Sequence, residues 1–191
     1  MSEHTAMIED PVLFNEIDLN AFVESKRHEV DVAVQQYEPK QLLGRGVAET
    51  AQMIVATHRV EVPQIEERGI YLTESESHRG TVLKFHVPYT GEGDLFRVFP
   101  SRHSPPDPPR GVVQTGELIM TVIATGYDGK AVRRAIDREI AKVREWLILM
   151  QQDVDSLNTS LVAQAENEIE ARREQLSRTE QMAQDIGYPK R

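Results

Sequence analysis

No cysteine occurs among the 191 residues, which removes disulfide staples, thiolate metal sites and a cysteine nucleophile together. Stability must come from packing. No stretch approaches the ~20 uncharged apolar residues that a membrane-spanning helix needs. The first ten residues carry Glu3, Glu9 and Asp10 without a basic segment leading into an apolar run. Neither a span nor a secretory leader is therefore expected, and the chain reads as cytoplasmic. His4, His28, His58, His78, His86 and His103 include no pair at i, i+3 or i, i+4, the spacings that put two imidazoles on one metal ion. Gly44-Arg45-Gly46 lacks the third glycine of a phosphate cradle and the strand before it, and no GxxxxGK[ST] pattern occurs. No cofactor or metal is expected from these absences.

What the chain does have is the mixture of a folded protein, 39% hydrophobic and 28% charged residues, enough for one core and an appendage. Its net charge of −9 is unevenly spread. Residues 1–129 hold 11 Lys and Arg against 20 Asp and Glu, whereas 130–191 hold 11 against 11. An acidic body repels phosphate backbones, so nucleic acid is disfavoured as a partner.

Helical spacing runs from Ile17 through Phe22, Val23, Val30, Val34 and Tyr37, with Pro39 stopping it, and predicts a helix over about 16–37. Val47, Ala51, Ile54, Val55 and His58 predict a second helix ending before Pro63. The period then changes to two. Ile70–Thr73 is a short β-rich run, and Leu83, Phe85 and Val87 share one face of a strand over 81–87. Leu95–Phe99 predicts its antiparallel neighbour across a glycine-rich loop. The proline-rich segment 100–111 reads as an exposed connector, or as a polyproline ligand for an aromatic groove. Leu118–Thr125 is apolar on both faces and predicts the central strand, covered on each side.

The last third is the most regular. Asp128 is placed to cap a helix and Tyr127 to pack on Val132. Ile136, Val143, Met150 and Leu157 form one ladder of sevens, and Ile140, Leu147, Val154 and Leu161 a second offset by four, which is the 3.5-residue seam of a coiled coil. Beyond Leu157 the apolar steps become fours, and Asn158-Thr159-Ser160 offers capping side chains. A turn into a second helix over about 161–184 is expected there, closed by Gly187 and Pro189, with one continuous kinked helix as the alternative. Arg134, Arg138 and Lys142 stack like charges at i+4, so an acidic surface of this chain, or of a partner, is expected opposite that basic stripe.

Polar groups with a chemical use are few. A hydrolase, of nuclease type or another, would have to work through Glu117, Asp128, His86 or His103 gathered at one end of the sheet; capping and strand-end solvation explain the same residues without chemistry.

The run Phe85-His86-Val87-Pro88-Tyr89-Thr90-Gly91-Glu92-Gly93-Asp94-Leu95-Phe96-Arg97, then Pro100-Ser101, the proline-rich loop, Gly116-Glu117-Leu118 and a long helix resembles an accessory region of bacterial proteins found before effector domains such as nuclease or TIR-like domains. The closing Trp146-Leu147, Asp153-Val154, Glu170-Ala171-Arg172-Arg173 and Gly187-Tyr188-Pro189 are similar too, so the likeness covers about residues 80–191. It implies a sensor or adaptor in a defence-related system; no effector follows in this chain, so it would be supplied by another protein or the chain is a fragment.

The expectation is an α+β protein. Residues 1–128 would form a small antiparallel sheet domain with two short N-terminal helices packed on it, and 129–191 a long helical hairpin. The function expected is a non-catalytic interaction module that pairs with a protein partner or with itself through the C-terminal helices; a hydrolase and a regulator binding a small ligand are the alternatives.

Overall fold

The computed structural model describes residues 7–8, 10–78, 80–101, 107–124 and 128–187. Elements follow in the order β1 (Met7–Ile8), α1 (Leu19–Gln36), α2 (Pro39–Gly44), α3 (Val47–Ala56), β2 (Gln64–Ile65), β3 (Tyr71–Ser77), β4 (Gly80–Thr90), β5 (Val112–Gln114), β6 (Glu117–Ala124) and α4 (Gly129–Ile186), with 3-10 turns at Glu67–Gly69 and Gly93–Phe96. The α+β class expected from the sequence is the one observed. No helix among the described residues is long and apolar enough to cross a membrane.

All strand pairs are antiparallel. β4 and β6 form the centre, β3 and β2 share the outer edge of β4, and β5 and β1 share the outer edge of β6. Between β5, whose first residue Val112 lies opposite Ile119, and β1, whose last residue Ile8 lies opposite Val122, the edge of β6 has a gap. The Asp10 carboxylate fills it by accepting the Thr121 amide hydrogen bond, so a backbone donor that would otherwise go unpaired is satisfied by a side chain. Burial pushes the Asp10 carboxyl above its ordinary value against the pull of that bond.

The chain forms two compact units. The first holds the described residues up to Leu19 together with Val60–Val154. Its core joins Val87, Leu118, Met120 and Val122 of the sheet to Val132, Ile136, Ile140, Val143, Leu147 and Met150 of α4. Phe14 lies in it at φ +57°, a conformation rare for a bulky residue. Its ring is fully buried, 5.2 Å from Trp146 and 6.0 Å from Phe96.

The second unit holds Asn20–Arg59 and the chain from Asp155 onward. Phe22, Val30, Val34, Leu42, Ala51, Ile54 and Val55 are buried in it, as are Leu157, Leu161, Ala165 and Ile169 of α4. Arginines of α4 close the ends of the short helices: Arg172 donates to the Val34 carbonyl near the end of α1, and Arg173 to the Arg45 carbonyl after α2. Val34 lies in the last turn of α1, where carbonyls lose their regular helical donors, and its oxygen also accepts from the Tyr37 amide at 3.3 Å. The early helices thus group with the second half of α4, where the sequence had suggested the sheet.

Three expectations need correction. The helical hairpin is replaced by one uninterrupted helix of 58 residues. Thr159 and Ser160 do not cap a break; their hydroxyls bond back to the Asp155 and Leu157 carbonyls inside the helix. No glycine or proline stands between Gly129 and Gly187, and Gly187 ends the helix at φ +74°. Second, Leu95–Phe99 is no strand: Leu95 and Phe96 are fully buried in the 3-10 turn that follows Gly91, and β4 pairs with β3 and β6 instead. Third, three N-terminal helices form where two were expected: Pro39 follows the end of α1, as expected, and also opens α2, since a proline is tolerated in a first helical turn. Asp128 caps α4 as expected, accepting from the Lys130 and Ala131 amides; Tyr127 lies outside the described residues.

Thr159→Pro should cost about 3 kcal/mol or more, as a proline inside a helix does; a loss of about 0.5 kcal/mol or less in urea denaturation would restore the hairpin. Among the described residues the buried Trp146 indole nitrogen has no hydrogen-bond partner, so its role is packing. Trp146→Phe is expected to cost within about 1.5 kcal/mol and Trp146→Ala about 3–5 kcal/mol. Equal losses would contradict that role.

Candidate functional site

The register of the sheet sorts its side chains onto two faces. Leu72, Leu83, Phe85, Val87, Val122, Met120 and Leu118 share the face toward α4; Tyr71, Thr73, Lys84, His86, Ile119 and Thr121 share the other. α4 covers β4 and β6 but leaves the β3 edge uncovered. A cleft of about 520 Å³ remains there, with Ile70, Leu72, Phe85, Ile136 and Ile140 as apolar lining. A second hollow of about 340 Å³ shares Leu72, Phe85 and Arg133 with it and continues over Leu83 to Val132 and Gly129. The two are stretches of one groove between β3 and α4.

Leu72 is 48% exposed in that groove. Its rim is charged: Arg133 pairs with Asp137 at 3.1 Å and Arg144 pairs with Glu67. Exposed pairs of this kind contribute about 0–1 kcal/mol, so the rim can exchange partners at little cost. An apolar floor within a polar rim is the usual form of a binding surface.

On the opposite face His86 is the hub of a polar cluster. Its Nδ1 lies 3.2 Å from Glu117 Oε2 and its Nε2 3.1 Å from Thr73 Oγ1. Tyr71 stacks on the imidazole with centroids 4.3 Å apart and donates from its hydroxyl to the same Glu117 oxygen at 3.1 Å. In the neutral tautomer that carries its hydrogen on Nδ1, the imidazole donates to Glu117 and Nε2 accepts from Thr73. That is the order of hydroxyl, base and orienting carboxylate used in nucleophilic catalysis. Thr73 and Tyr71 are exposed and the imidazole is half-buried, so the cluster is open to water. Desolvation, then the hydrogen bond and charge of Glu117, hold the Tyr71 phenol above its usual range.

A third group ties the proline-rich segment to α4. The Ser101 amide and hydroxyl donate to Asp153 at 2.9 and 2.5 Å, the Arg110 amide donates to the buried Glu139 at 2.7 Å, and Lys142 bridges Asp107 at 2.5 Å and Glu139 at 3.1 Å. Burial works against the Lys142 ammonium, but Asp107 and Glu139 outweigh it and raise its pKa, while Lys142 lowers that of Asp107. The basic stripe is therefore partly spent on the chain's own acid. Lys142 is engaged, the Arg138 guanidinium donates to the Arg134 carbonyl, and Arg134 is exposed. The described ends of the segment are clamped to the helix; residues 102–106, including His103, lie outside the described residues, as does His4.

All eight seam residues, Ile136, Ile140, Val143, Leu147, Met150, Val154, Leu157 and Leu161, are buried within the single chain, none more than 6% exposed. Association through them would have to open the chain's own core. Of the polar residues read as potential chemistry, His86 and Glu117 come together and Asp128 serves as a helix cap. The groove went unread in the sequence. Its signal was Tyr71–Ser77, where Leu72 alternates with Glu74 and Glu76 on one face. His58 is half-buried beside Glu29 at 3.8 Å, and among the described residues no three His, Asp or Glu side chains gather as metal ligands.

No known protein family, curated protein or solved structure matches the chain.

Replacing Glu117 with Gln removes the charge that opposes phenolate formation at Tyr71. The tyrosine titration that disappears in Tyr71→Phe should move down toward pH 10 in Glu117→Gln, followed by tyrosinate absorbance. No downward shift would contradict the cluster.

Proposed function

We propose that the protein is a non-catalytic interaction module whose docking surface is the groove between β3 and α4. The observation that carries this reading is the groove itself: apolar side chains that the fold leaves uncovered, beside a strand with an open edge. The long helix supplies one wall and spends its seam on the core. Such a module suits the adaptor or sensor role, in a bacterial defence-related system, that the sequence resemblance implies.

Leu72→Asp places a charge on the groove floor at an exposed position, so the fold should survive. Peptides enriched from a random displayed library on the purified chain should bind Leu72→Asp at least tenfold more weakly. No enrichment, or equal binding by the variant, would contradict the reading.

A second reading has one observation in its favour, the hydrogen-bonded order Thr73, His86, Glu117, which suits acyl transfer by an activated hydroxyl. It predicts that the chain hydrolyses activated esters and that Thr73→Ala and His86→Ala each abolish the turnover. Hydrolysis by the variants equal to that of the unsubstituted chain would end it.

A further inference from the structure

Taking the groove as the docking surface, we propose that its occupant is an extended segment of a partner protein that adds as a strand to β3, apolar over Leu72 and basic at the next two alternate positions, opposite Glu74 and Glu76. Among the described residues β3 pairs with β4 along all seven of its positions and with no strand on its other side. Every second amide and carbonyl of a strand points to each side, so the outer edge of β3 presents a row of donors and acceptors to an incoming chain. The groove lies directly beside that edge. An added strand would therefore send alternate side chains down toward Phe85 and Ile136 and the others over the face that carries Tyr71 and Thr73.

The charges fix the occupant's chemistry. Leu72, Glu74 and Glu76 lie on the groove face of β3, and Tyr71, Thr73, Ser75 and Ser77 on the other. No ion pair joins Glu74 or Glu76 among the described residues, and both are exposed. Arg133 and Arg144, the cations of the groove, already face Asp137 and Glu67. The unmatched charge beside the open edge is thus negative, as is the excess over residues 1–129. Opposite charges directly across a strand pair stabilise it and like charges weaken it. The same rule disfavours a second copy of this chain. Antiparallel pairing of β3 with itself centred on Glu74 sets Glu74 against Glu74 and Leu72 against Glu76, and centring on Ser75 sets Glu74 against Glu76.

The test uses the full chain and a capped synthetic peptide containing Lys-Thr-Lys-Thr-Leu, which in antiparallel addition sets its leucine over Leu72 and its lysines opposite Glu74 and Glu76. It should bind in fluorescence anisotropy, at least tenfold more tightly than the version with glutamate for both lysines. In Glu74→Lys/Glu76→Lys the preference should reverse. Methylating alternate peptide amides should weaken binding at least tenfold in one set and little in the other, because only one set faces β3. Equal binding of the two peptides by the unsubstituted chain, or indifference to methylation in both sets, would overturn strand addition. Should that happen while Leu72→Asp still abolishes binding, the groove reading survives alone; should Leu72→Asp bind as well as the original, both fall. A dimer of the free chain whose stability changes in the double variant would also overturn the proposal, giving the edge to a second copy.

Discussion

One apolar stripe on α4 organises the molecule. From Val132 to Ile169 its members recur at steps of three or four and all are nearly or fully buried. Each such side chain is worth about 1.5–3 kcal/mol when removed from water, so the stripe outweighs any single polar contact described above. It serves both units in turn. The portion up to Val154 belongs with the sheet, and the portion from Leu157 with α1, α2 and α3. A stripe with the spacing of a coiled coil is thus covered within the single chain.

That use explains what was legible in the sequence and what was not. The period of the seam, the cap at Asp128, the helices over α1 and α3, and the strands expected at 81–87 and 118–125 follow from local rules of spacing and capping, and the structure contains them, the strands within β4 and, as far as Ala124, β6. The partner of the seam was not legible, because periodicity states that a face must be covered and not by what. Steps of four after Leu157 looked like a helix losing phase, and Asn158-Thr159-Ser160 looked like a turn. Yet a stripe that winds around one straight helix produces the same pattern, and the unbroken run without glycine or proline was the stronger signal. Leu95–Phe99 misled for a related reason: five residues are too few to separate a strand from a buried 3-10 turn by periodicity.

The polar sites show the same division. His86 and Glu117 stand 31 residues apart in sequence, and only the pairing of β4 with β6 brings their side chains within hydrogen-bond reach. Glu139 reads as an ordinary surface glutamate and is instead the buried acceptor that fastens the proline-rich segment. The groove arises from a mismatch of extents: the sheet is wider at β3 than the helix that covers it. It is therefore a property of tertiary packing, with only the alternation of Leu72, Glu74 and Glu76 left as a trace in the chain.

The central claim is that the seam is covered by the chain itself, and hydrogen exchange of α4 resolved along its length tests it most directly. The account predicts strong amide protection from Val132 to Ile169 that is the same at nanomolar and at high micromolar protein, and weak protection over the exposed last turns around Met182 and Ile186. Protection of the seam that fades on dilution would contradict it, since the covering surface would then come from another molecule.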